Sequence, residues 1–414
     1  MYQAHIVIVG GGAAGMFAAV NCAEMYPNCQ VTLLEKGKRL LEKVKISGGG
    51  RCNVTHACFE PAELVKHYPR GNKELLAPFK QFQPSHTISW FKQHGVTLKT
   101  EADGRMFPIS NSSQTIIDCL MQAAQRANVR IYTQSHVIEY GLPNQTQSQW
   151  ELKVRLNDAT TSQMQADVLL IATGSSPQMW QQIAEWRHNI VAPIPSLFTF
   201  HIKDPRLHDL LGVSVPNVAL QLVGTNLKTE GALLITHWGL SGPAVLRLSA
   251  FGAIALQQKQ YNAGLKVNFV PEYSPPELLN TLQNLRQSYA KKNVIVHSLF
   301  NLPLRLWQAL MRYIAINEAI KWADLSNKQL QLLADVLQNS QMNIKGKSTF
   351  KEEFVTCGGV ELKEIDFRTM QSRIVPRLFF AGEVLNIDAV TGGFNFQAAW
   401  TTAFIAAQNM GKGL

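Results

Sequence analysis

An α/β fold is predicted, with one domain divided between the two ends of the chain and a β-rich and helical segment inserted between them. Three observations predict it. A β-branched run, a glycine cluster and an Ala-rich stretch open the chain; a second strand ending in glycine stands near its finish; and between them the hydrophobic period changes twice.

The first element is His5-Ile6-Val7-Ile8-Val9, a short β-branched run suited to a strand buried on both faces. It leads into Gly10-Gly11-Gly12-Ala13-Ala14-Gly15, after which Met16 to Met25 is helical. Tyr26-Pro27-Asn28 breaks the helix, and Gln30 to Leu34 forms a second strand ending at Glu35, 20 positions beyond Gly15. Each part has a task in binding a dinucleotide. Gly10 permits the tight turn, Gly12 lets backbone approach a pyrophosphate, and Gly15 lets helix and strand pack closely. The diphosphate would sit on the helix N-terminus, at Ala13 and Ala14, where free N–H groups and the dipole favour negative charge. Glu35 would accept hydrogen bonds from a ribose and repel a 2′-phosphate, which favours FAD or NAD over NADP. A bare GxGxxG is weak evidence, but strand, helix, strand and acid in register make a strong Rossmann-like signal.

The next feature is Lys45-Ile46-Ser47-Gly48-Gly49-Gly50-Arg51-Cys52-Asn53-Val54-Thr55. Its glycines can turn tightly against a large flat ligand, Arg51 would meet a phosphate or a ring carbonyl, and Asn53 would bond a ring edge. Read locally, the same segment is equally a surface loop. Ala166 to Gly174 is another buried strand, ending in Ala172-Thr173-Gly174, through which backbone can pass close to a cofactor. Arg377 to Phe380 is a strand ending in Ala381-Gly382-Glu383, followed by Asp388, Gly392, Gly393, Phe394 and Asn395 and by a helical stretch from Phe396 to Met410. That helix would begin at the glycine pair and turn its positive end toward the N1 and C2 carbonyl of an isoalloxazine. Glu383 or Asp388 would hold the ribityl chain.

On these residues the chain resembles the HI0933-like family of bacterial FAD-dependent oxidoreductases, the group that includes aminoacetone oxidases and bile-acid reductases. The resemblance runs through Ile8 to Gly15, Ile46 to Thr55, Gly104-Arg105-Met106-Phe107-Pro108, Thr236-His237-Trp238-Gly239-Leu240-Ser241-Gly242-Pro243, Val355 to Val360, Phe380 to Leu385, and Asp388 with Thr391 to Trp400. It departs at Ser175-Ser176, where the family has a further glycine. The resemblance implies non-covalent FAD, with Lys36, Lys45, Gly49, Gly50, Cys52 and Val137 joining the residues above in the cofactor site. It also implies that the inserted β-domain is barrel-like.

The division expected is an FAD-binding part over 1–192, a β-rich domain over 193–272, a helical insert over 273–342, a return to the β-rich domain over 343–359 and the remainder of the FAD domain over 360–414. Leu197 to Ile202, parts of Val213 to Val223, and Leu265 to Val270 alternate as strands do. From Pro275 the period becomes helical, with Leu278, Leu279, Leu282, Leu285 and Tyr289 on one face. A second helix is expected over Pro303 to Ile316 and a third over Asn327 to Leu337, capped by Ser326 with Gln329. Lys345 to Thr349 reads as a polar return, and Gln145 to Gln149 as local glutamine enrichment.

Composition bounds the function. The chain has 414 residues, 46% of them hydrophobic, enough for two or three domains. Only 16% are charged, against about 25% in ordinary globular chains, which excludes disorder. Six cysteines without a Cys-x-x-Cys pair disfavour a disulfide scaffold, a redox dithiol or a Cys-ligated zinc, and point to a reducing, cytoplasmic setting. No apolar run is long enough to cross a membrane, and no metal site is expected. The leading function is therefore an FAD-dependent oxidoreductase acting on a small molecule where the FAD, β and helical parts meet, either as an enone-type reductase or as an amine oxidase. NAD(P)H or oxygen would be the redox partner. His237 is the candidate general acid, imidazole being the side chain that titrates near neutral pH, though a loop histidine is more often structural. The net charge of +10 supports an alternative, a flavoprotein that modifies or binds RNA, with Lys291, Lys292, Arg305, Arg312, Lys321 and Lys328 on the helical insert. Against it, no RNA-binding signature is visible. A flavin-binding protein without catalysis is the third reading.

Overall fold

The computed structural model describes residues 4–143, 148–347 and 355–412. They form two compact units, one comprising the chain up to 193 and from 356 onward, the other 194–355.

The first unit is built on a sheet whose strands Ala4–Val9, Cys29–Leu34, Arg130–Tyr132, Val168–Ile171 and Leu378–Phe380 run parallel. Across the sheet they stand in the order 378–380, 168–171, 4–9, 29–34, 130–132, with two short antiparallel strands, Gln371–Ser372 and Ile365–Asp366, beyond the first. The β-branched and aliphatic run Val168 to Ile171 is buried at every residue, as a parallel strand covered on both faces requires. Helices Ala13–Met25 and Phe394–Met410 pack against each other. Both are buried on nearly every side, and alanines such as Ala18, Ala19, Ala403 and Ala406 let them approach closely. A separate antiparallel sheet, His136–Gly141, Trp150–Arg155 and Thr161–Ala166, buries Trp150.

The second unit contains a closed six-stranded barrel. Its strands are Phe200–Ile202, Gly239–Ser241, Lys228–Thr236, Ser214–Leu222, Asn262–Asn268 and Ser340–Lys347, in that spatial order, the last pairing back onto the first. Inward Val218, Leu220 and Leu222 alternate with outward Ala219 and Gln221. Lys345 to Lys347 of the stretch expected to be a polar return end the sixth strand, which begins at Ser340. Met342 and Ile344 face the core while Gln341, Asn343 and Lys345 face out, a half-buried alternation whose few apolar positions hid it; Ser348 and Thr349 lie outside the described residues, as do 145–147 of the glutamine-rich stretch. The strand expected from Leu197 begins only at Phe200, because Leu197 turns the chain with φ +56.

Helices Pro275–Ser288, Leu304–Tyr313 and Asn327–Gln338 follow the expected period. Ser326 and Gln329 form the capping box, and Ser274 with Glu277 forms another. Leu278, Leu282, Trp307, Leu310, Leu330 and Leu337 of these helices belong to the same hydrophobic cluster as Leu220, Leu233, Leu265 and Ile344 of the barrel. Barrel and helices thus share one core, and no break falls at 272.

Candidate cofactor site

Strands Ala4–Val9 and Val168–Ile171 are neighbours, and the chain proceeds from the first toward one edge of the sheet while the second leads toward the other. This is the switch point at which open α/β sheets bind ligands. Gly10 stands at its mouth with φ +111, and a Cβ there would lie 2.4 Å from Ala172 O, so the two turns touch backbone to backbone. Gly15 serves the same closeness, since a Cβ on it would lie 1.9 Å from Gly10 O. Gly12 differs. It caps helix Ala13–Met25 without a side-chain hydrogen bond, and a Cβ there would meet nothing within 4 Å. The first-turn amides at Ala13, Ala14 and Gly15 have no intrahelical acceptor, beside a space shaped by the lack of a side chain.

Glu35 is oriented by two backbone amides, Gly11 N–H donating to Oε2 at 2.7 Å and Gly37 N–H to Oε1 at 2.6 Å. Each oxygen keeps a second lone-pair direction for a ribose hydroxyl. Lys36 beside it is exposed, and Val137 is buried in its strand opposite Val154. Thr173 Oγ1 is buried with no hydrogen-bond partner among the described residues. An open cradle over an uncapped helix, an oriented carboxylate and an orphaned hydroxyl at the switch point fit an adenine dinucleotide.

At the other end, Gly393 caps helix Phe394–Met410 with φ +91, and a Cβ on it would lie 2.6 Å from Thr55 O. The Asn53 amide, in the orientation that satisfies its neighbours, donates to Met106 O and Thr55 O and accepts from Gly393 N–H at 3.0 Å. Asn53 therefore holds the helix start in place, a positioning task rather than the ring-edge contact expected of it. Phe394 lies face to face with His67, ring centres 4.0 Å apart, and with His56 at 4.6 Å. Tyr68 OH donates to Phe394 O at 2.6 Å. Burial pushes the His56 imidazole below its usual pKa. Neither histidine nor Tyr68 was singled out by motif, because only tertiary packing stacks them on Phe394.

Several expected ligands are engaged by the protein itself. Asp388 is fully buried and its two oxygens are taken by the Arg70 guanidinium, so it does not offer a carboxylate to a ribityl chain. Asn395 bonds Ala389 through both its amide atoms. Arg51 pairs with Glu101 at 2.7 Å and covers the Phe107 ring at 4.0 Å, instead of presenting its charge outward. The Cys52 thiol is fully buried, and that burial pushes it up to about 12, far from a reactive thiolate. Gly49 and Gly50 are exposed with positive φ and open space at their Cβ positions, and Lys45 is exposed nearby. Gly174, also left-handed, lies beside the ion pair of Glu383 with Lys43, 2.5 Å long; Thr356 N–H donates to the other Glu383 oxygen. Lys43 was missed, since nothing local distinguishes it from Lys45. A Cβ at Gly382 would lie 2.8 Å from Ala14 Cβ, tying the third glycine turn to the first helix. Where a further glycine was expected, Ser176 caps helix Pro177–Glu185.

His237 belongs to the other unit. It is exposed in the turn between strands Lys228–Thr236 and Gly239–Ser241, edge-on to Trp238, with no hydrogen bond to its ring among the described residues. A positioned acid is normally held; this ring is solvated. No group of His, Cys, Asp and Glu among the described residues is disposed to hold a metal, and no helix among them is long and apolar enough to cross a membrane.

A family model described as "HI0933-like protein Rossmann domain" matches residues 4–409. The chain belongs to the HI0933-like family. This member is 30% identical to the ribosomal RNA dihydrouridine synthase of Escherichia coli (strain K12), over 99% of this chain and 98% of the relative. It is 25% identical to the 3-dehydro-bile acid delta(4,6)-reductase of Clostridium scindens, over 98% of both. The solved structure of 3-ketosteroid-delta4-(5alpha)-dehydrogenase from Rhodococcus jostii RHA1 shares the fold with a TM-score of 0.51 at 12% identity, covering 98% of each chain. The HI0933-like protein is thus an FAD-binding oxidoreductase on a Rossmann fold.

Proposed function

We propose that this HI0933-like protein is an FAD-dependent reductase of carbon–carbon double bonds conjugated to a carbonyl, and that its substrate is uridine in RNA. NAD(P)H is the proposed source of electrons. The observation that carries the reading is the full-length similarity to a ribosomal RNA dihydrouridine synthase. The RNA reading, secondary on sequence grounds, takes precedence for that reason.

The chemistry joins the two relatives. In uracil, C5=C6 is conjugated to the C4 carbonyl, and a dehydro-bile acid with a delta(4,6) system offers the same polarised alkene. In each, the carbon β to the carbonyl accepts a hydride and the carbon α to it accepts a proton. Bound FAD supplies the hydride carrier at flavin N5. The residues of this chain bind and orient it: the first-turn amides beside Gly12 would take the diphosphate, Glu35 the ribose, and Thr173 Oγ1 a polar group at the switch point. The uncapped start of helix Phe394–Met410 would face the negative charge that reduction places on the ring. Overall, one NAD(P)H and one proton are consumed per uridine reduced.

The test is anaerobic reduction of the FAD-loaded protein with NADPH or NADH, followed by addition of unmodified ribosomal RNA or of a small conjugated enone. Reoxidation of the flavin by RNA, with a uridine gaining the mass of two hydrogens, is the expected result. Reoxidation by the enone alone would establish the second reading, small-molecule reduction, which the bile-acid reductase similarity favours. Reoxidation by neither overturns both.

A further inference from the structure

The positive surplus is concentrated in the second unit, where residues 194–355 carry sixteen Lys and Arg against ten Asp and Glu. Part of it is ordered by strand register. On the outer face of the barrel, Gln221 stands opposite Lys228 on one side and Lys266 on the other, and Lys266 stands opposite Gln341. The four residues form one row, Lys228, Gln221, Lys266, Gln341, across four adjacent strands. Neither lysine makes an ion pair with a carboxylate among the described residues. Two strand spacings set their backbones about 10 Å apart, so long flexible side chains there can reach successive phosphates of one strand.

The row borders a groove of about 380 Å³ between the barrel and helix Asn327–Gln338, lined further by Asn268, Tyr273 and Gln331. Its chemistry is two cations, a set of uncharged amides and one half-buried aromatic ring, with Leu220, Pro275 and Ala334 as apolar floor between them. Tyr273 is steadied edge-on against Phe300, ring centres 5.3 Å apart. The carboxylate in the wall, Asp335, accepts from Asn339 Nδ2 at 3.0 Å and repels phosphate from the helix side, which leaves the lysine row as the cationic track for the phosphates.

We infer that this groove binds a single-stranded segment of RNA, its phosphates on Lys228 and Lys266, its base edges on Gln221 and Asn268, and one base against Tyr273. Cationic tracks with amides, and an aromatic face beside apolar side chains on which a base can lie, are what single strands require. The inference rests on the RNA reading above and adds to it a location. It makes the barrel an RNA-holding element in addition to a structural one.

The test is fluorescence anisotropy of the FAD-loaded full chain with a labelled oligouridylate over a range of salt, alongside anaerobic flavin reduction by NADPH. In the double variant Lys228→Gln and Lys266→Gln, RNA affinity is expected to fall at least about tenfold and the log–log salt slope to shrink by about 1.4, since two phosphate contacts to a single strand are lost. Flavin content and flavin reduction are expected to match wild type, which also shows that the variant is folded. Wild-type affinity and slope in this variant, with the wild-type protein binding RNA, would overturn the groove and leave the RNA reading standing. Loss in the variant Lys291→Gln and Lys292→Gln alone would equally overturn it, by moving the contact to the helical insert. Failure of the wild-type protein to bind RNA at all would overturn both.

Discussion

Residue by residue, the glycines separate into those that the fold requires and those, such as Gly12, that it does not, the latter being where the proposed ligand contact is tested. At Gly10 and Gly393 a side chain collides with backbone, at Ala172 O and Thr55 O respectively. At Gly12 it collides with nothing, and φ of −81° is open to any residue. Gly12→Ala is therefore expected to leave the thermal stability of the apoprotein within about 1 kcal/mol of wild type while lowering FAD affinity by tenfold or more. Calorimetric unfolding of the apoprotein and FAD titration check the two halves separately, and equal losses in both would place no diphosphate there. The buried pair of Arg70 and Asp388 is a second residue-scale feature, invisible in the sequence because 318 positions separate its members. Arg70→Met leaves a buried carboxylate without its cation, and an expected destabilisation of about 3–5 kcal/mol should appear as a lower urea midpoint. The geometry of Gly10, Gly15 and Glu35 was legible because the close approaches and backbone hydrogen bonds that fix it act within one strand–helix–strand unit and its neighbour strand. Asp388 and Arg51 are engaged by partners 318 and 50 positions away, and Asn395 by Ala389 six positions before it, none of which a motif reveals.

At the scale of elements, the helices were legible where caps and period agree. Ser326 and Gln329 mark a helix start by local hydrogen bonds alone, and the structure begins the helix at Asn327. The sixth barrel strand was not legible, since its alternation rests on Met342 and Ile344 and its meaning on closure of a barrel. One helix end carries a pH dependence. His94, just beyond helix Pro84–Gln93, stacks on Trp90 and is held above the usual imidazole pKa chiefly by its hydrogen bond with Glu24, with Trp90 O assisting. A folded-state pKa raised above the unfolded value means that protonated His94 stabilises the fold. That contribution is complete below the ordinary imidazole value and is lost as pH rises through the folded-state pKa. Urea unfolding from about pH 5 to about pH 8 should show wild type losing its advantage over Glu24→Gln as pH rises; a constant gap would exclude the coupling.

For the whole molecule, the surplus of ten positive charges first suggested nucleic acid, the glycine motifs then turned attention to an anionic cofactor, and the relatives return it to RNA. The two ligands should respond differently to salt. RNA binding is expected to weaken at least about tenfold between 50 and 200 mM salt through counterion release, while FAD retention, resting on buried turns and oriented amides, changes little; filter binding and flavin absorbance after dialysis measure the two. Sequence by itself determined the α/β class and the division of the first unit between the two ends of the chain, and it supplied the proposal of the first helix as an anion site, because these are written in hydrophobic period, glycine placement and one acid. Tertiary structure alone decided which polar residues remain free for a ligand. Asp388 is taken by Arg70 and Arg51 by Glu101, whereas Thr173 Oγ1 has no partner among the described residues and two lysines are aligned across a barrel. A side chain's availability depends on what the rest of the chain brings beside it, and that is settled only when distant strands and helices close upon one another.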